Sequence, residues 1–227
     1  MNVLNQLEKQ LVVSCQALKD EPLHSSFIMG RMALATFQGG AAGIRANSAV
    51  DIMEIKQQVD LPVIGIVKQD YADSPIYITP KIKEVKELLD AEVDMIAMDA
   101  TRRKRPDGEQ LEDLVAYVRE HASEVSLMAD VSTMEEAINA EELGFDCVST
   151  TLIGYTSETE GTSLADNDFS ILKQLVGKIS IPVVAEGKLD TPAKAARALE
   201  LGAHFIVVGS AITRPKNITE GFAEAIK

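Results

Sequence analysis

The sequence predicts an α/β fold, a single (β/α)8 TIM barrel spanning residues 1–227 as one domain, and three observations carry it. Eight apolar runs of strand length recur along the chain, helix-like segments stand between them, and no Pro/Ser/Gly-rich linker or low-complexity stretch divides the chain. The runs are near-continuously apolar rather than alternating, as parallel strands covered on both faces should be. Eight such units in 227 residues fit a closed barrel near the lower end of its size range. An open doubly wound sheet is the competing arrangement, and eight units with short connections disfavour it.

In chain order the expected strands are LVVSCQ (11–16), AAGIRA (41–46), LPVIGIVK (61–68), DMIAMDA (94–100), SLMADV (126–131), DCVSTT (146–151), IPVVAEG (181–187) and HFIVVGS (204–210). Among the intervening segments, SAVDIMEIKQQV (48–59) sets Val50, Met53 and Ile55 at helical spacings, and KIKEVKELLDAEV (81–93) follows a proline. TMEEAINAEELG (133–144) and TPAKAARALELG (191–202) each open on Thr, a good N-cap, and close on Gly, a good C-cap. A last helix is expected to begin near Asn217; NITEGFAEAIK (217–227), with Phe222 and Ile226, would cover the barrel or a neighbouring copy. The third and seventh strands share an apolar-Pro-Val-apolar opening and a closing Lys, four units apart, which suits a half-barrel echo. Two connections are longer than the fold needs, QDYADSPIYITP (69–80) and LIGYTSETEGTSLADND (152–168). Both follow strands, so they are candidate walls or lids over the catalytic face.

Composition narrows the partners. With 22 basic against 35 acidic residues the net charge is −13, which argues against nucleic acid and anionic membranes. It leaves room for one phosphate ester, because a few local donors outweigh a global field. No run is long enough to cross a bilayer, and the start MNVLNQLEKQLVVSCQ lacks the sections of a signal peptide, so a cytoplasmic location is expected. Cys15 and Cys147 have no metal-ligand spacing and read as small buried hydrophobes. His24 falls in a loop, His121 ends a helix and His204 opens the eighth strand, so a His-rich metal site or a Ser–His triad is not expected.

Barrel chemistry sits at the C-terminal ends of the strands. Those ends read Gln16, Arg45, Lys68, Asp99, Asp130, Ser149, Glu186 and Ser210. Residues two apart on a strand share a face, so Ile64, Ile66 and Lys68 point one way, as do Val184 with Glu186, Met128 with Asp130, and Gly43 with Arg45. The apolar members would fill the barrel and the polar ones would crown its mouth. Gly187 and Gly209 end the seventh and eighth strands, where backbone N–H groups can approach an anion, and Ser210 and Arg214 can add side-chain donors. A phosphate site at that place recurs in such barrels.

The stretches SCQALKDEPL (14–23), GGAAGIRANS (39–48), IGIVKQDYADSPIYITP (64–80), MDATRRKRPDG (98–108), LMADVST (127–133), VSTTLIGYT (148–156), VVAEGKLDTP (183–192) and VVGSAITRP (207–215) together resemble the N-acylglucosamine-6-phosphate 2-epimerase family, over nearly the whole chain. The resemblance implies a phosphate-binding barrel without metal or cofactor that interconverts N-acetylmannosamine 6-phosphate and N-acetylglucosamine 6-phosphate in sialic acid breakdown. It implies Lys68 and Glu186 as catalytic residues, with Gln16, Arg45, Asp130 and Arg214 holding the sugar or its phosphate. A homodimer is also implied. Two positions depart from the family pattern: Glu92, where a helix-ending glycine is expected, and Ser149 at the barrel mouth, where the family more often has glycine.

Such a reaction needs a base at C2, an acid for the other face and a donor for the enolate oxygen. Burial and Arg45 would lower the pKa of Lys68, while Glu186 and Asp130 would raise it. The sequence leaves open which wins, and whether one group or two move the proton. Rival readings are a lyase with a Schiff-base lysine, a metal-dependent pentose-phosphate epimerase, and a sugar-phosphate sensor without catalysis.

Overall fold

The computed structural model describes residues 2–227. Eight parallel strands pair in sequence order and close on themselves: β1 (Leu11–Cys15), β2 (Gly43–Asn47), β3 (Val63–Ile66), β4 (Met95–Asp99), β5 (Ser126–Asp130), β6 (Cys147–Ser149), β7 (Val183–Glu186) and β8 (Ile206–Val208). Closure comes where β8 meets β1, with Ile206 opposite Leu11 and Val208 opposite Val13. The helices are α1 (Val3–Leu7), α2 (Ser26–Gln38), α3 (Ala49–Gln58), α4 (Ile82–Asp90), α5 (Leu111–His121), α6 (Met134–Glu142), α7 (Asp166–Lys178), α8 (Pro192–Glu200), α9 (Ser210–Thr213) and α10 (Pro215–Ala225). Among the described residues no helix is long and apolar enough to cross a membrane.

Period-two alternation divides the apolar residues into two layers. Val12, Ile64, Ile66, Met128, Val184 and Phe205 fill the barrel, and Leu4 and Leu7 of α1 close its floor. Val13, Ile44, Val63, Ile96 and Leu127 face outward against Ile52, Leu88, Val118 and Leu172 of the helices. Cys147 sits inside and Cys15 outside; both are buried and free. Burying each such aliphatic side chain contributes about 1.5–3 kcal/mol. Gly43, one step below Arg45 on the inner face, lets the floor rise: a Cβ there would lie 2.8 Å from Leu7 Cδ2.

The caps follow the sequence. Thr133 and Glu136 form a reciprocal capping box at α6, and Thr191 accepts from Lys194 N at α8. Glu92, after α4, takes the left-handed φ of 54° that a glycine would take there. That conformation costs roughly 1–2 kcal/mol without glycine. Lys56 Nζ donates to the Glu92 carbonyl at 2.6 Å and helps to hold it.

Several boundaries differ from the sequence reading, three of them at the site. β3 stops at Ile66, so Lys68 lies two residues beyond it. β8 stops at Val208, after which Ser210 opens the short α9 and α10 starts at Pro215 rather than near Asn217. Proline at the first turn suits a helix start, since its missing N–H would have no partner there.

Candidate active site

The C-terminal ends of the strands enclose a mouth cavity of about 1190 Å³. Gln16, Arg45, Lys68, Glu186, Gly187, Gly209, Ser210 and Arg214 all line it. Asp130 is fully buried behind Arg45 and does not reach the cavity wall.

Arg45 is the anchor. Its Nη2 donates to Asp130 Oδ2 at 2.5 Å, and its Nη1 donates to Asp130 Oδ1 at 3.1 Å and Glu186 Oε2 at 2.6 Å. Thr151 Oγ1 donates to Asp130 Oδ1 at 2.7 Å and accepts from Arg45 Nη1 at 3.3 Å. Burial opposes the guanidinium charge, but Asp130 and Glu186 outweigh it and hold Arg45 above its ordinary pKa. Arg45 is therefore a fixed cation.

Lys68 is handled differently. Its backbone is held on both sides: Lys68 N donates to Asn47 Oδ1 at 2.7 Å, and Lys68 pairs with Ile78 in an antiparallel bridge. Its ammonium forms no ion pair among the described residues. Burial, then the cations Arg45 and Arg214, lower its pKa to about 8, against the opposing carboxylates of Glu186 and Glu21. Glu186 moves the other way. Burial and the neighbouring Asp130 charge raise it, against the charge and hydrogen bond of Arg45. Its backbone is pinned by Thr150, whose Oγ1 accepts from Glu186 N at 3.0 Å and donates to Glu186 O at 2.7 Å. A half-buried lysine that loses its proton easily thus shares a cavity with a carboxylate that holds one more tightly than usual.

Gln16 Nε2 donates to Ser14 Oγ at 2.7 Å, while its buried Oε1 has no partner. Across the mouth, Arg214 reaches Ser210 Oγ at 3.5 Å and is paired with Glu21.

Two strand-end residues do not join the cavity. Asp99 is fully buried and accepts from Thr101 and from Arg103 Nη2 at 2.6 Å. Ser149 lies beneath the mouth and bonds Thr151 Oγ1 at 2.7 Å. Thr151 is the residue that sequence reasoning missed: two positions past Ser149 on the same face, it is the hydroxyl that reaches the charges. Tyr77, Tyr155 and Lys188 are further wall residues. Of the three histidines, His24 lines the cavity, with its Nδ1 3.2 Å from Ala17 O, while His121 is stacked on Tyr117 and His204 is bonded to Leu4 O at the floor. Among the described residues, no group of three His, Cys, Asp or Glu side chains is gathered that could hold a metal ion.

The long connections behave as walls. Residues 69–80 fold back onto the barrel: Gln69 N donates to Tyr77 O, Thr79 N to Val67 O, and Ile76 and Ile78 are buried. Arg105, itself buried, donates to the carbonyls of Thr79, Pro80 and Asp99. The 152–168 connection is tied down by hydroxyls, with Ser132 Oγ at 2.5 Å from Thr156 Oγ1 and 2.9 Å from Thr159 Oγ1.

A closed parallel barrel whose mouth gathers a lysine of lowered pKa, a carboxylate of raised pKa and a fixed arginine has the layout of a barrel enzyme, with its polar groups at the C-terminal ends of the strands. A family model described as "Putative N-acetylmannosamine-6-phosphate epimerase" matches residues 29–227. Relatives described as "Putative N-acetylmannosamine-6-phosphate 2-epimerase" include one from Shouchella clausii, 62% identical over 99% of both chains. Another, from an Enterobacter species, is 59% identical over 99% of this chain and 96% of its own. The solved N-acetylmannosamine-6-phosphate 2-epimerase of Clostridium perfringens superposes with a TM-score of 0.95 at 55% identity, covering 99% of this chain and 96% of that one. The chain belongs to the N-acetylmannosamine-6-phosphate epimerase family, as the resemblance of its motifs implied.

Proposed function

We propose that this protein interconverts N-acetylmannosamine 6-phosphate and N-acetylglucosamine 6-phosphate by taking and returning the proton at C2, a step of amino-sugar and sialic acid breakdown. The observation that carries the mechanism is Lys68: half-buried, without an ion pair among the described residues, its pKa drawn down to about 8, in one cavity with Glu186. A neutral amine near pH 8 is a competent base, whereas an ordinary lysine is not.

Ring opening exposes an aldehyde at C1 and makes the C2 hydrogen acidic. Lys68 Nζ takes that proton, the C–H electron pair moves into the carbonyl, and C2 becomes planar. Arg45 supplies a fixed positive field for the enolate without having to reorganise. Return of a proton to the opposite face inverts C2, and Glu186 is the partner carboxylate for ring opening and proton return. Gln16 Oε1 accepts from a sugar hydroxyl, Asp130 keeps Arg45 in place, and Gly187, Gly209, Ser210 and Arg214 cradle the phosphate. These steps use only side chains of this chain and call on no cofactor or metal.

Proton NMR of N-acetylmannosamine 6-phosphate in deuterium oxide tests the proposal. Solvent deuterium should appear at C2 of the product, and in Lys68→Ala the exchange should stop. Borohydride trapping of a sugar on Lys68 would replace the acid–base reading with a Schiff base. Deuterium confined to the product in early turnover favours two groups; equal labelling of substrate and product favours one.

The reading extends to a single-domain cytoplasmic protein acting on a small sugar phosphate, with neither nucleic acid nor membrane as partner. It also extends to a homodimer. Helix α10 buries none of its residues and leaves Ile218, Phe222 and Ile226 exposed, an apolar stripe that a second copy would cover. Sedimentation at micromolar concentration decides the assembly.

A further inference from the structure

Glu21 belongs to the SCQALKDEPL stretch, yet the reaction above gives it no part. It sits in the loop after β1, far from Arg214 in sequence, and the barrel's closure between β8 and β1 brings the two together. Glu21 Oε1 lies 3.0 Å from Arg214 Nε, and Glu21 Oε2 accepts from Arg214 Nη2 at 3.1 Å. That fork occupies one edge of the guanidinium only. Nη1 is left on the other side, 3.5 Å from Ser210 Oγ, at the cavity wall beside Gly209.

The carboxylate is itself held. Leu18 N donates to Glu21 Oε2 at 2.7 Å, while Glu21 N donates to Leu18 O at 2.9 Å, so the turn closes on its own acid. A long arginine side chain roughly a third exposed (29%) would otherwise sample many rotamers. Gripped along Nε–Nη2 by a preformed carboxylate, it has one direction left in which to present donors. A competitor of the phosphate would have to cover the cavity-facing donor, and Glu21 does not.

We propose that Glu21 is a positioning residue for the substrate's phosphate, holding Arg214 by its Nε–Nη2 edge so that Nη1 and Ser210 Oγ face the anion. This rests on reading Gly187, Gly209, Ser210 and Arg214 as the phosphate cradle. Loss of the fork leaves the arginine in place but unaimed, so binding suffers and the chemical step does not.

Steady-state kinetics with N-acetylmannosamine 6-phosphate, and inhibition by inorganic phosphate, test it in the full-length protein. Glu21→Ala should raise KM and the phosphate inhibition constant about tenfold each, with kcat changed less than about threefold. Glu21→Gln keeps an acceptor for Leu18 N and should fall between wild type and Glu21→Ala, which separates aiming from collapse of the turn. Arg214→Gln should weaken phosphate more than either, and the double variant Glu21→Ala/Arg214→Gln should be no worse than Arg214→Gln alone. Tighter phosphate binding in Glu21→Ala, or additive losses in the double variant, would overturn the positioning role and leave the cradle standing. Unchanged phosphate inhibition in Arg214→Gln would remove the cradle, and the role of Glu21 with it.

Discussion

Arg45, within β2, and Lys68, just past the adjacent β3, face one cavity, yet the fold treats their charges in opposite ways. Arg45 is almost completely buried, and two carboxylates and a hydroxyl hold its guanidinium. Lys68 is only half-buried, meets no carboxylate within ion-pair distance among the described residues, and Arg45 itself helps to push its proton off. The first arrangement makes a charge that stays; the second makes one that can leave. The difference teaches that the acidic cluster serves Lys68 by not reaching it. Asp130 and Glu186 are satisfied by Arg45, so the pull of Glu186 and Glu21 on the lysine's proton is outweighed by burial and the two arginines.

Removing the mobile charge should give the largest effect. Lys68→Met should lower kcat by about 10²–10⁴, read from the NMR exchange assay. The same variant should be more stable than wild type. The folded pKa of Lys68 is about 8 against an ordinary 10.5, so the unfolded chain binds the proton more tightly. Wild-type stability therefore carries the full penalty below pH 8, and the penalty fades as pH rises from 8 to 10.5. By that difference it amounts to about 3 kcal/mol at most. Chemical denaturation should show the gain of Lys68→Met at pH 7 and its decline by pH 10. A gain independent of pH would mean that packing, not charge, is being measured.

Breaking the fixed charge comes next. Arg45→Met strands two buried carboxylates and should cost about 3–5 kcal/mol in stability. It also removes a cation that depresses Lys68, so the alkaline midpoint of kcat/KM should move above 8. Adding Asp130→Leu removes one stranded charge and should recover much of the stability without restoring turnover. Recovery of turnover in the double variant would show that Arg45 is only scaffolding.

With both charges intact, kcat/KM should rise with pH through a midpoint near 8 as free Lys68 loses its proton. A midpoint above 10 would mean that the lysine titrates as an ordinary one.

The contrast between the two cations was half legible in the sequence. Alternation placed Ile64 and Ile66 inside the barrel and Arg45 at its mouth, because period two survives any error in strand length. It could not say that Asp130 lies behind Arg45 rather than beside the substrate, since depth along the barrel axis depends on stagger between strands. The sign of the Lys68 shift was equally hidden, being a balance of burial and two cations against two carboxylates whose distances no spacing encodes. Lys68 read as the end of a strand although β3 stops at Ile66, because the returning 69–80 segment supplies its pairing through Ile78. Helix α1 went unread: five residues are too few for a helical period to show. Glu21 needed the ring to close, for only the meeting of β8 and β1 sets it against Arg214.

The smallest effect should come from Thr151, and it bears most directly on how the two cations are kept apart. Its hydroxyl carries one proton, given to Asp130 Oδ1, so the Arg45 Nη1 bond and the Ser149 contact must both arrive as donors. Valine keeps the volume and loses all of these. Asp130 then depends on Arg45 alone. The guanidinium keeps its charge-assisted forks, so kcat should fall only several-fold. Thr151→Ser restores the hydroxyl without the methyl and should return kcat toward wild type. A methyl-dependent loss, equal in Thr151→Ser and Thr151→Ala, would show that Thr151 packs the wall and leaves the charges alone.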